Sequence, residues 1–187
     1  GDLKASLLSA ANVILQRDGA DALSLRAIAA EVGVSHMAPY SHFKNKKELV
    51  QAIAESGFNQ MADAMSKMTQ DLDQKNPGEY ILGYGASYIE FATKNPQLYR
   101  LMLGQVETQG RKVKKDKAAI APPQASGSAE LISSSKRPFI LLREAFAKLG
   151  GDENHIMAQA MGAWSMVHGM AALIIEGHIQ VPEGTSM

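Results

Sequence analysis

Apolar residues recur at three- and four-residue steps along almost the whole of this 187-residue chain, and that spacing confines it to helices. Such steps bring side chains onto one face of a 3.6-residue turn, whereas a half-buried strand requires strict alternation. No alternating Val/Ile/Thr run closed by an Asn-Gly or Asp-Gly turn breaks the pattern. The expected fold class is therefore all-α. A hydrophobic content of 45% with 20% charged residues suits one or two folded domains with a sizeable core. With no cysteine, neither a disulfide nor a thiolate metal site is available, and the fold rests on packing alone. Nineteen basic residues balance nineteen acidic ones, so any case for a nucleic-acid partner has to be local. The first twenty residues are broken by Asp2, Lys4, Gln16, Arg17 and Asp18, and the longest strongly apolar stretch, Met170 to Ile175, is too short to cross a bilayer. A soluble cytoplasmic protein with no membrane partner is expected.

Capping residues divide the pattern into elements. Leu7, Leu8, Ala11, Ile14 and Leu15 form one face of a first helix, which Gly19 ends in a left-handed C-cap. Ser24 caps a short second helix from Leu25 to Val32, Gly33 makes the corner, and Ser35 caps a third short helix to about Phe43. Pro39 distorts the first turn of that third helix, because it lacks an N–H and pushes Ala38 from the α region. Asn45 with Glu48 resembles a capping box opening a long fourth helix from Lys46 to near Leu72, which Asn76, Pro77 and Gly78 terminate. Further helices are expected over 78–93 and 96–105, with Asn95 and Pro96 as an Ncap and N1 pair between them. Residues 108–128 read as a flexible loop carrying a basic cluster from Arg111 to Lys117. Two closing helices span about 129–149, where Pro138 kinks or interrupts the helix, and about 153–179.

The functional signal lies between Leu25 and Lys47. Ala29 is small and Gly33 takes the turn conformation, so two short helices cross closely and the second is left exposed. Its outward residues Ser35, His36, Met37, Tyr40 and Ser41 offer donors, acceptors and apolar tips suited to base edges in a major groove. No acidic residue occurs from Val32 to Lys47, while Lys44, Lys46, Lys47 and two histidines supply donors. The start of the fourth helix adds N–H groups and a positive dipole end that suit a phosphate oxygen. On periodicity alone, a helical hairpin buried in a larger bundle weighs equally.

The segments Ser24-Leu25-Arg26-Ala27-Ile28-Ala29, Gly33-Val34-Ser35, Ala38-Pro39-Tyr40-Ser41-His42-Phe43 and Lys44-Asn45-Lys46-Lys47-Glu48-Leu49 together resemble the DNA-binding domain of the TetR family of bacterial transcription regulators. Asn95 to Gly104 and Trp164-Ser165-Met166-Val167-His168-Gly169 resemble the C-terminal domain of a branch named for its Trp-His-Gly residues. The resemblance implies a helix-turn-helix domain at 1–48, joined by a long helix to an effector-binding and dimerisation domain at 49–187. It implies operator DNA as partner, with Tyr40 on backbone or a thymine methyl, Lys46 on a phosphate, and Arg26 on a base or phosphate. Ser35, His36, Met37 and Ala38 would choose sequence, with Ser41, His42 and Lys44 on the same surface and Phe43 anchoring the turn. It also implies a homodimer built from the last two helices, whose recognition elements about 34 Å apart fit successive major grooves. Repression relieved by a small effector is the family habit.

The last helix is apolar on two sides. One stripe holds Met157, Met161, Trp164, His168 and Ile175, and the other Ile156, Ala160, Ala163, Val167, Met170 and Ile174. One stripe faces the core and the second, Ile156 to Ile174, is assigned to a twofold dimer interface. Met61, Met65, Tyr84, Tyr88, Phe91, Met102, Met161, Trp164 and His168 are candidates for a largely apolar effector pocket, although Met and aromatic residues at helical spacing are more often plain core. No Ser/His/Asp spacing, Gly-rich phosphate loop or His-Glu cluster points to catalytic residues, a metal or a cofactor, so an enzyme is not expected. A helical interaction module that keeps the fold without binding DNA remains the rival reading.

Overall fold

A computed structural model describes residues 2–70, 72, 76–107 and 128–180. Among these, seven α-helices and two short 3-10 turns account for the secondary structure. The helices are α1 (Leu3–Asp18), α2 (Leu25–Val32), α3 (Lys46–Met68), α4 (Pro77–Lys94), α5 (Pro96–Glu107), α6 (Ala129–Ala147) and α7 (Glu153–Ile175). The loop and basic cluster expected between 108 and 127 lie outside the described residues. The chain divides into two compact units, one of residues 1–57 with 97–135 and one of 58–96 with 136–187.

In the first unit the Asp2 carboxylate caps α1 by accepting from the N–H groups of Lys4 and Ala5, and α1 packs on α2. The face expected for α1 is buried at Leu7, Ala11, Ile14 and Leu15, with Ala10 added. Each large apolar side chain so covered contributes about 1.5–3 kcal/mol. Gly19 has φ 82° and ψ 175°, a positive-φ but extended conformation rather than the left-handed helical one expected. Ser24 Oγ accepts from the Ala27 N–H at 3.1 Å and opens α2 as expected. Gly33, at φ 78° and ψ 31°, closes it. Val34 N–H donates to Ala29 and Gly33 N–H to Ala30, so the paired bonds of a Schellman cap turn the chain sharply.

The expected third helix is a single 3-10 turn, Ala38–Ser41. Pro39 occupies its second position, and the effect reaches beyond one lost bond: the segment closes i→i+3 bonds, Tyr40 N–H to Met37 and His42 N–H to Pro39. Asn45 Oδ1 then accepts from the Glu48 N–H at 3.0 Å to start α3. Glu48 reaches back one residue further than a capping box requires, to the Lys44 N–H at 2.9 Å. On α3, Gly57 lets α5 approach closely, since a Cβ there would lie 2.5 Å from Met102 Sδ. α3 ends at Met68, four residues short of Leu72. The Thr69 hydroxyl there donates to the carbonyls of Met65 and Ser66, and i→i+3 turns replace the helix.

In the second unit α4 lies against α7. Pro77 starts α4 at its first turn, and the Asn95 side-chain amide donates back to the Phe91 carbonyl, finishing α4 instead of capping α5. Arg137 on α6 donates to Asn59 and Asp63 on α3. Pro138 sits inside α6 without interrupting it. Burial of Leu131, Leu142 and Ala145 along the helix outweighs a proline cost of about 3 kcal/mol. Asp152 caps α7, and Gly177 at φ 77° ends the helix at Ile175 through a second Schellman cap, His178 N–H to Leu173 and Gly177 N–H to Ile174. By length and composition α7 could cross a membrane, which the six-residue stretch from Met170 did not announce. In the fold its residues Ile156, Ala160, Val167 and Ala171 are buried instead.

Candidate nucleic-acid interface and apolar cavity

The sequence between α2 and α3 is built as a buried base under an exposed rim. Pro39 and Phe43 point inward, Phe43 only 2% exposed, and the Phe43 N–H donates to the Pro39 carbonyl at 2.9 Å. Arg26, Ser35, His36, Met37, Tyr40, Ser41, His42, Lys44 and Lys46 are all exposed, and Ala38 is half-buried. Met37 is 72% and Tyr40 46% accessible. The Ser41 hydroxyl donates to the Ala38 carbonyl at 2.7 Å, which fixes the turn and leaves its oxygen to accept. Lys44, Lys46 and Lys47 surround the N-terminus of α3, where the helix dipole is positive. Glu48, in the first turn of α3, is held by its own capping bonds. The rim therefore offers cations and dipole for phosphates and uncharged tips for bases.

A second site lies in the other unit. Between α4 and α7 a half-open cavity of about 440 Å³ is walled by apolar groups, among them Met65, Tyr84, Tyr88 and Trp164. Trp164 stands edge-on to Tyr88 with ring centroids 5.0 Å apart, and to Phe139 at 5.7 Å. The Tyr88 hydroxyl pairs with His168 Nδ1 at 3.0 Å, so the pair's polar atoms meet each other behind the wall. His168 is a bonded structural histidine and does not line the cavity.

Four of the nine pocket candidates thus line the cavity, and five do not. Met61 is core, Phe91 is half-buried, Met102 packs toward Gly57 in the first unit, and Met161 is 51% exposed. The wall instead takes Ile81, Leu82, Gly85, Ala86 and Ile89 from α4, Leu142 from α6, and Ala163, Met166, Val167 and Met170 from α7. The signal for these was the small set Gly85, Ala86 and Ala163: small side chains between two apolar helices leave volume unfilled.

The stripe assigned to a dimer also needs correction. Ile156, Ala160 and Val167 are buried within their own chain, and Ala163 and Ile174 are half-buried; Met170 alone of the six is exposed. A side chain already covered has no surface left for a partner. One residue on from a buried position is 100° round the helix, so Met157 and Met161 face outward instead of into the core. The outward face of α7 carries Ala158, Gly162, Ser165 and Ala172, with half-buried Gly169 among them.

Residues 7–53 match the model for bacterial regulatory proteins of the tetR family, and residues 81–186 match that for the tetracyclin repressor-like C-terminal domain. The chain belongs to the TetR family. It is accordingly a DNA-binding transcription regulator with an N-terminal helix-turn-helix domain. A protein of unknown function from Rhodococcus sp. RHA1 is similar over 97% of this chain and 88% of its own, at 26% identity and a TM-score of 0.78. The TetR family regulator PfmR from Thermus thermophilus shares the fold at 18% identity and a TM-score of 0.61, covering 93% of this chain and 89% of that one. A TetR regulator from Streptomyces coelicolor does so at 17% identity and 0.67, covering 92% and 70%. No curated protein matches the chain.

Proposed function

We propose that this TetR regulator is a cytoplasmic homodimeric repressor, of the branch marked by Trp164, His168 and Gly169, whose operator affinity falls when a small uncharged apolar effector enters the α4–α7 cavity. The observation that carries the DNA half is the exposed rim of Arg26, Ser35 to Ala38, Tyr40 to His42, Lys44 and Lys46 over buried Pro39 and Phe43. In this reading Lys44 and Lys46 hold phosphates, Arg26 a phosphate or flanking base, and residues 35–38 with Tyr40 read the groove. Residues 1–48 form the DNA-binding domain and the remainder the regulatory one. The role is regulation and not catalysis.

Support for the effector half comes from the cavity wall, which presents no charged group, and from α3. That helix begins with Lys46 of the DNA rim and includes Met65 of the cavity wall. An effector that fits one tilt of α3 better than another changes the separation of the two recognition turns by the difference in its affinity for the two states. A second copy of the chain is the occupant of the outward face of α7. Ala158, Gly162, Ser165, Gly169 and Ala172 repeat at alternating four- and three-residue steps there, and a Cβ added at Gly162 or Gly169 would meet open space in the single chain. Ser165 satisfies its hydroxyl on the Met161 carbonyl at 2.8 Å, so two such faces can approach closely.

Selection of genomic fragments by the purified protein tests the proposal. Recovery of an inverted repeat with half-sites one helical turn apart, or a multiple of it, is the expected result. Failure to retain any duplex would favour the protein-interaction module.

A further inference from the structure

We propose that this regulator reads its operator chiefly through thymine methyl groups, with Met37 as the principal reader, and not through forked hydrogen bonds to purines. The inference rests on the assignment of residues 35–46 to the DNA surface. In the major groove guanine presents two acceptors that fit the fork of Arg or the ammonium of Lys, and adenine an acceptor and a donor that fit Asn or Gln. Thymine alone presents a methyl group, and only an apolar contact recognises it. From Gly33 to Phe43 the chain has no Arg, Lys, Asn or Gln. Arg26, Lys44 and Lys46 lie outside that turn. Within it the polar side-chain groups are three hydroxyls, of Ser35, Tyr40 and Ser41, and two imidazoles, each able to make single bonds to a base edge, and the Ser41 hydroxyl proton is already committed to the Ala38 carbonyl.

The apolar side of the turn stands out within its unit. Among the described residues of that unit the large apolar side chains left exposed are Val13, Met37 and Tyr40, and Met37 is the most exposed of them at 72%, while Phe43, Leu49 and Ile53 are at most 2% exposed. Met37 stands at the N-terminal end of the 3-10 turn, where its carbonyl accepts from the Tyr40 N–H while its side chain makes no cap and is left exposed. Its thioether has three rotatable bonds and a polarizable tip, which lets it settle on a methyl group without demanding one geometry. Half-buried Ala38 adds a second apolar patch at its side, and buried Pro39 fixes the backbone beneath both.

The test uses the full-length protein and the tightest duplex recovered from a random-sequence pool. Each thymine in that duplex is replaced singly by deoxyuridine, which removes the methyl and keeps every hydrogen-bonding atom. For the wild-type chain, one thymine in each half-site should respond with about a fourfold loss of affinity, the worth of one buried methyl-sized group. In M37A, whose exposed site leaves folding intact, thymine and deoxyuridine at that position should bind alike. Wild-type affinity unchanged by deoxyuridine at every position overturns methyl readout while operator binding stands. An undiminished methyl effect in M37A overturns the role of Met37. A pool from which no duplex is retained overturns this inference and the DNA-binding assignment of the surface together.

Discussion

Replacing Gly57 by alanine should destabilise the protein, although alanine is the better helix former. Gly57 lies in the interior of α3, where the exchange would ordinarily gain about 1 kcal/mol. The added methyl carbon would, however, sit 2.5 Å from Met102 Sδ, 2.9 Å from Met102 Cγ and 3.1 Å from Leu98 Cδ1. Met102 is fully buried and Leu98 nearly so, so both would have to repack within the core to make room. Overpacking of this kind costs about 1–3 kcal/mol. The larger effect wins, leaving a net loss of about 1 kcal/mol and a Tm lowered by about 2–4 °C for a chain of this size. Thermal unfolding followed by circular dichroism at fixed protein concentration provides the assay. The cause can be isolated by a double-mutant cycle: a Met102→Ala background removes the two shortest contacts and leaves Leu98 Cδ1 room to shift, so Gly57→Ala should become neutral or stabilising. A rise in Tm for Gly57→Ala in the wild-type background would refute the close approach of α5 to α3.

Two further outcomes follow from the regulatory unit. Gly162→Leu, on the outward face of α7, should leave helix content unchanged and shift sedimentation from dimer to monomer; a variant that stays dimeric would move the interface elsewhere. Trp164 is the chain's one tryptophan and lines the cavity, so a neutral apolar ligand that binds should change its fluorescence, whereas a carboxylate of the same size should not. An equal response to both would show that a polar group reaches the cavity.

The elements bracketed by strong local chemistry were legible in the sequence. Ser24, Gly33 and Asn45 act through bonds to their immediate neighbours, and the structure places each bond close to where the residue type requires it. Pro39 was legible as a disturbance but not in extent, because a short segment has too few remaining α bonds to recover from one missing N–H. The facing of α7 was not legible. With apolar residues on both sides, periodicity cannot rank the stripes, and the outward side mixes small residues with exposed Met157, Met161, Met166 and Leu173, whose hydrophobic signal is that of a core face. The cavity was half legible for a related reason. Tyr84, Tyr88 and Trp164 announce an aromatic wall, but the space before them is set by Gly85, Ala86 and Ala163, whose contribution is the volume they do not fill.

The salt dependence of duplex binding, compared between the wild-type chain and Lys46→Ala, tests most directly whether the rim at the start of α3 holds DNA phosphates. The wild-type dimer should lose affinity linearly on a log–log plot against salt. Loss of Lys46 from both copies should weaken every duplex and flatten the slope by about 1.8, at about 0.9 per phosphate contact. An unchanged slope, or duplex affinity that does not depend on salt at all, would contradict the assignment of this surface.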